Sequence, residues 1–149
     1  MYKFITYSLM MLFIFTVQAQ INLPAGSSAA SVTTTVGLTE VSISYFRPKM
    51  KGRKIFGIDG SALLEYGVMW RTGANSGTTV TLSTPAKIGG TEVPAGTYLI
   101  ITTPGDDQFD FMLYGDPSIG SNFSKMKSDQ ILVNMKVDNL KSSTMIETL

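Results

Sequence analysis

The chain contains no histidine and no cysteine. Those two absences exclude a Ser-His-Asp triad, a Cys-His nucleophile, any disulfide and any ordinary zinc centre, since each is built on an imidazole or a thiolate. Charge is scarce as well. Asp, Glu, Lys and Arg make up 15% of the 149 residues, against about a quarter in an average protein. A net charge of +1 carries no argument for nucleic acid as a partner. The 44% of hydrophobic residues exceeds what a disordered chain contains. The length suits one domain.

What is present begins with an address. Met1–Gln20 reads MYKFITYSLMMLFIFTVQAQ. Lys3 precedes an apolar stretch with an unbroken core, Leu9–Phe15, and Val17-Gln18-Ala19 supplies a small-x-small site. That order is a secretory signal peptide, cleaved after Ala19. A membrane anchor needs about 20 apolar residues, and Thr6, Ser8, Thr16 and Gln18 interrupt this stretch. With no cysteine after it, lipid anchoring is excluded. The expected organisation is a signal peptide over 1–19, an extended leader over 20–30 and a single β domain over 31–149. The expected location is periplasmic or secreted, with no membrane span after cleavage. Loss of Lys3 leaves basic and acidic residues equal in number.

After the leader the pattern has period two. Val41, Ile43 and Tyr45 alternate with Ser42 and Ser44; Val80 and Leu82 alternate with Thr79, Thr81 and Ser83; Phe109, Phe111 and Leu113 alternate with Asp110 and Met112. These are half-buried strands, rich in the branched and aromatic side chains that suit a pleated surface. Ile131–Val137 predicts another strand, and Thr144–Leu149 begins one more. Ile88-Gly89-Gly90-Thr91 predicts a two-residue hairpin, because glycine supplies the positive φ of primed turns. Pro94-Ala95-Gly96-Thr97 and Pro104-Gly105-Asp106-Asp107 predict turns into the strands that follow, and Gly115-Asp116-Pro117 closes one. Turn signals every eight to twelve residues predict an all-β fold, an antiparallel β-sandwich or partly open barrel. Only residues 60–69 could form a helical turn or two.

Arg47–Gly60, RPKMKGRKIFGIDG, breaks the alternation with Arg47, Lys49, Lys51, Arg53 and Lys54. An acidic counterpart holds Asp106, Asp107, Asp110 and Asp116. The two form either poles of a binding surface or a solvated loop and an acidic turn. Gly52-x-x-x-x-Gly57 imitates a phosphate-binding loop, but Ile58 and Asp59 stand where Lys and Ser/Thr are required. Asp106-Asp107-x-x-Asp110 is too short for a calcium loop of the EF-hand kind. Trp70-Arg71-Thr72-Gly73-Ala74-Asn75 gathers the only tryptophan, an arginine and two residues tolerant of left-handed backbone. One reading is a core tryptophan beside a structural arginine. The other is a shallow site in which Arg71 meets an anionic or sugar-like ligand and Asn75 adds a polar contact.

Five segments together resemble one family. They are Val36-Gly37-Leu38-Thr39, Tyr45-Phe46-Arg47-Pro48, Lys51 to Gly57, Trp70 to Asn75 and Pro94-Ala95-Gly96-Thr97-Tyr98. In order and spacing they are similar to DUF2911, a domain of unknown function in secreted proteins of Bacteroidota. The resemblance runs from about Ala25 onward, implies an exported bacterial domain and carries no activity with it. Family members have an aromatic-rich stretch where this chain has Pro117–Ser128, with Phe123 its one aromatic. They also continue past Met145–Leu149 with further strands, so the resemblance implies a domain truncated at its C-terminus.

The favoured reading is a non-catalytic binding module for an anionic or sugar-like ligand. Its candidate residues are Arg47, Lys51, Arg53, Trp70, Arg71 and Asn75. Arginine offers a planar fork and tryptophan a stacking face. A structural or protein-interaction domain of the cell envelope is the alternative, since exposed strands recruit partners by edge addition. A hydrolase is the second alternative. It would rest on two carboxylates, Glu65 with Asp106, Asp107 or Asp110. No metal or other cofactor is implied. The partner is an unidentified small molecule or envelope protein.

Overall fold

The computed structural model describes residues 26–140. The segment read as a signal peptide and the strand expected at Thr144–Leu149 lie outside them. Ten strands follow in order: β1 Ser28–Val36, β2 Thr39–Arg47, β3 Phe56–Gly57, β4 Leu64–Glu65, β5 Thr78–Leu82, β6 Ala86–Ile88, β7 Thr91–Val93, β8 Gly96–Pro104, β9 Gln108–Tyr114 and β10 Ile131–Asp138. β1 begins at Ser28, so the last residues read as leader already belong to a strand.

Six strands make one antiparallel sheet in the order β1-β2-β5-β8-β9-β10. The register places Val41 beside Leu82, Ile43 beside Val80, Val80 beside Tyr98, and Ile100 beside Leu113. These apolar residues therefore share one face. Over it lies the β6–β7 hairpin, whose Ala86, Ile88 and Val93 join Val80, Leu82, Tyr98, Leu113 and Val133 in one cluster. Its Gly89-Gly90 turn has φ of 56° and 86°, the left-handed pair that a two-residue hairpin needs.

The opposite face carries a second core of Leu99, Ile101, Tyr114 and Ile119, packed with Met112, Phe123, Met126 and Ile131. Three single-turn 3-10 helices, Pro117–Ile119, Phe123–Lys125 and Ser128–Gln130, cover it. Asp116 caps the first by accepting from the Ser118 N–H. The Tyr114 hydroxyl accepts from the Lys127 N–H at 3.0 Å and ties the run down.

The fold is all-β, and its sheets do not close into a barrel. A barrel has one apolar interior. Here β8 and β9 are apolar on both faces, and each face is covered by its own layer. Residues 60–69 form no helix. The Leu64 and Tyr66 N–H groups donate to Ile55 and Gly57 carbonyls, making the short parallel pair β3–β4. Gly60 and Gly67, at φ of 69° and 83°, bracket the segment with backbone that no helix uses.

Tyr98 is buried and its hydroxyl donates to the Pro94 carbonyl at 2.8 Å, closing the turn that feeds β8. Tyr98→Phe is expected to cost about 1 kcal/mol, the net worth of one such bond plus the carbonyl left behind. Urea denaturation checks this as a shift in midpoint at unchanged slope.

Candidate functional site

The Trp70 segment takes the place beside β8 that β5 would occupy if it began earlier. Trp70 and Thr102 exchange backbone bonds of 2.7 and 2.9 Å. The chain then leaves the sheet as the loop 71–77 and returns at Thr78, whose N–H donates to the Arg71 carbonyl. The excursion requires unusual backbone. Thr72 and Asn75 hold φ of 54° and 52°, and Gly73 and Gly77 hold 133° and 92°. Side chains hold the loop in this shape. Thr78 Oγ1 donates to the Thr72 carbonyl, and Thr72 and Thr102 hydroxyls bond at 3.0 Å. Non-glycine residues in the left-handed region persist only when their surroundings over-determine them, and they concentrate at functional sites.

Trp70 and Arg71 point to opposite faces. The Trp70 ring meets Phe56 edge-on at 5.4 Å, Phe56 meets Phe109 at 5.5 Å, and Trp70 Nε1 donates to the Gly73 carbonyl at 3.1 Å. Arg71 lies beside Gly77, at a position that Leu99 of the second core also approaches. Its Nε is buried and has no hydrogen-bond partner. Asn75 is exposed on the loop. Arg47 is exposed at the end of β2, next to Phe46, whose carbonyl oxygen lies beside Gly73. Arg47, Trp70, Arg71 and Asn75 thus lie at one end of the sheet, with Trp70 and Arg71 on opposite faces.

Lys51 and Arg53 stand elsewhere, on the turn 50–53. Lys51 and Gly52 have φ of 53° and 68°, and the Arg53 N–H donates to the Met50 carbonyl. The Arg53 guanidinium is committed to that same turn: Nε donates to the Met50 carbonyl at 2.9 Å and Nη2 to the Lys49 carbonyl at 2.8 Å.

The imitation phosphate loop has a local explanation. Lys54 Nζ bonds Asp59 Oδ2 at 2.7 Å and crosses the backbone at Gly57, where a Cβ would collide with it. Lys54 above all, then the Ser61 hydroxyl and N–H, hold the Asp59 carboxyl well below the ordinary value of 3.8. A depressed carboxyl favours the ordered state fully above its unfolded value, and that contribution is lost as pH falls below 3.8. Asp59 is therefore expected to titrate below 3.8 in carboxyl-carbon NMR, and Lys54→Met to move its titration upward. An unshifted Asp59 would contradict the ion pair.

The acidic residues are dispersed. Asp110 pairs with Lys136 at 3.4 Å. Asp116 is an N-cap, its carboxyl lowered by the Ser118 hydroxyl and then the Ser118 N–H. Asp106 and Asp107 sit on the β8–β9 turn, where their carbonyls accept from Asn139. Glu65 lies on β4. Among the described residues, no three acidic side chains gather to hold a metal ion.

Beside the loop lies an open depression of about 390 Å³, lined by Ala29, Ser31, Ser44, Phe46, Ser76, Gly77 and Thr79 with flanking residues of β1 and β2. Ser31 is opposite Ser44, and Ser44 opposite Thr79, so three hydroxyl-bearing residues form a row across β1, β2 and β5. None of these was singled out from the sequence. The Ser and Thr positions of β2 and β5 read there only as the solvent side of alternating strands.

Among the described residues no helix is long and apolar enough to cross a membrane. No curated protein and no solved structure matches the chain. A family model described as a protein of unknown function, DUF2911, matches residues 27–149. That match takes in well over half of the sequence and all ten strands, and the protein belongs to the DUF2911 family.

Proposed function

We propose that the protein is an exported, non-catalytic binding module for an anionic or sugar-like small ligand. The depression beside the loop 71–77 carries this reading. The hydroxyls of Ser31, Ser44, Ser76 and Thr79 both donate and accept. The Phe46 ring adds an apolar face of the kind that packs on a sugar ring. Arg47 follows Phe46 at the end of β2 and, as its neighbour on a strand, faces the other side of the sheet. Arg71 stands behind Gly77 with a buried, unpaired Nε, and an arginine fork suits carboxylate, phosphate or paired hydroxyls. The order of residues in Met1–Gln20 supports export.

The test is a titration of the protein, followed by amide NMR, with oligosaccharides, nucleotides and organic anions. Shifts are expected at Ala29–Ser31, Ser44–Phe46 and Ser76–Thr79. Arg71→Lys keeps the charge and loses the fork, so it is expected to weaken binding roughly tenfold with little change in melting temperature. The reading fails if no compound in the panel shifts these amides. A loss of stability in Arg71→Lys with binding intact removes Arg71 from the site.

A further inference from the structure

The two edges of the main sheet are built differently. β10 carries Lys136 and Asp138, and its register with β9 shifts between Ile131 and Val133. Charge and a bulge are standard protections against edge-to-edge pairing. β1 has neither. Its nine residues, SAASVTTTV, include no charge and no proline, pair with β2 without a shift, and are exposed at every position except Ala30. Among the described residues nothing pairs with its outer side. Val32 and Val36 are exposed on it, and Leu38 is exposed at the tip of the hairpin.

The register says which backbone groups are bare. The two-residue turn Gly37-Leu38 makes Val36 and Thr39 a hydrogen-bonded pair. Bonding then alternates along β1. Val36, Thr34, Val32, Ala30 and Ser28 bond to β2, while the N–H and C=O groups of Ala29, Ser31, Thr33 and Thr35 point outward. These four are symmetric about Val32. A second β1 laid antiparallel with Val32 opposite Val32 sets Ala29 against Thr35 and Ser31 against Thr33, each from both sides. Every outward group is then paired, two bonds to each pair. The side chains agree: Val32 meets Val32 on the two-fold axis, Ala30 meets Thr34, Ser28 meets Val36, and no like charges meet.

We propose that β1 is a dimerisation edge, and that two copies of the chain join through it into one continuous twelve-stranded sheet. The contact uses the same strand from both copies, so it closes as a dimer. The charge-free, self-matching register favours a second copy over a foreign strand.

Light scattering of the purified protein at rising concentration, with two kinds of variant, tests this. The wild type is expected to reach twice the chain mass. Thr33→Pro removes one outward N–H and leaves the bonds to β2 in place, as proline does on edge strands; it is expected to stay folded and monomeric. The chain has no cysteine of its own, so Val32→Cys reports cleanly. A directly opposed, non-hydrogen-bonded pair lies within disulfide reach, and mild oxidation is expected to give a covalent dimer. Thr34→Cys stands about 14 Å from its copy in this register and is expected to remain uncrosslinked. A wild type that stays monomeric overturns the proposal. So does a folded Thr33→Pro that still dimerises, or crosslinking of Thr34→Cys in preference to Val32→Cys. Should Thr33→Pro fail to fold, the cysteine pair decides alone. Ala29, Ala30 and Ser31 of β1 also line the depression, so these measurements are made without added ligand and read the chain mass alone.

Discussion

Gly77→Ala is expected to destabilise the protein by about 2–4 kcal/mol, more than any surface substitution. Gly77 holds φ of 92°, and a Cβ there would lie 2.8 Å from the Arg71 carbonyl oxygen, 3.1 Å from Arg71 Cβ and 3.3 Å from Leu99 Cδ1. The first of these is backbone, held by its bond from the Thr78 N–H, and cannot step aside as a side chain would. The left-handed φ alone costs roughly 1–2 kcal/mol for a residue with a Cβ; the clash adds the rest. Urea denaturation should show the loss as a lowered midpoint. The variant should also lose ligand-induced amide shifts at Ser76–Thr79, because the loop forms one wall of the depression. An unfolding free energy within about 0.5 kcal/mol of wild type would mean that the loop does not hold this shape.

Leu99→Ala is the second large effect. Leu99 is fully buried on β8, in the core with Ile101, Tyr114 and Ile119, and it also touches the Gly77 position. Truncating a buried leucine costs about 2–5 kcal/mol, the lost transfer energy plus the cavity left behind. A loss near 3 kcal/mol should lower the melting temperature by on the order of 10 °C, which calorimetry reads directly. Leu99 and Gly77 are in contact, so the double variant is expected to lose less than the sum of the two. Leu99→Ala removes the Cδ1 contact that aggravates Gly77→Ala, although the backbone clash stays. A drop of only a degree or two would mean that the second core is not packed over β8.

Both effects sit where two stretches of sequence meet, and that limits what could be read from either one. The strands β2, β5, β9 and β10 were legible because alternation records burial on a pleated surface, residue by residue. The Gly89-Gly90 hairpin was legible because its φ values belong to glycine chemistry. Residues 60–69 were misleading. Their apolar residues suit a helical turn, yet their N–H groups find carbonyls in Ile55 and Gly57, a bond that spacing does not announce. The 3-10 turns were missed for a related reason. Asp116-Pro117-Ser118 reads equally as the end of a strand and as a cap, and only the apolar face of β8 and β9 determines that it folds back as cover.

The candidate site divides in the same way. Trp70 and Arg71 face opposite sides because they are neighbours on extended chain, a consequence of strand geometry alone. Arg53 and Lys54 looked like members of one basic cluster. Tertiary structure commits them separately, to the carbonyls of Lys49 and Met50 and to Asp59. Ser31, Ser44 and Thr79 lie far apart in sequence, and only strand register sets them in one row. Composition by itself determined which chemistries are absent, since no fold can supply a missing imidazole or thiol. Alternation by itself determined that the chain pairs as strands. Which strands become edges, which face stays open and which polar atoms remain unpaired were decided by long-range pairing, because local sequence encodes the burial of a residue but not the identity of its neighbour.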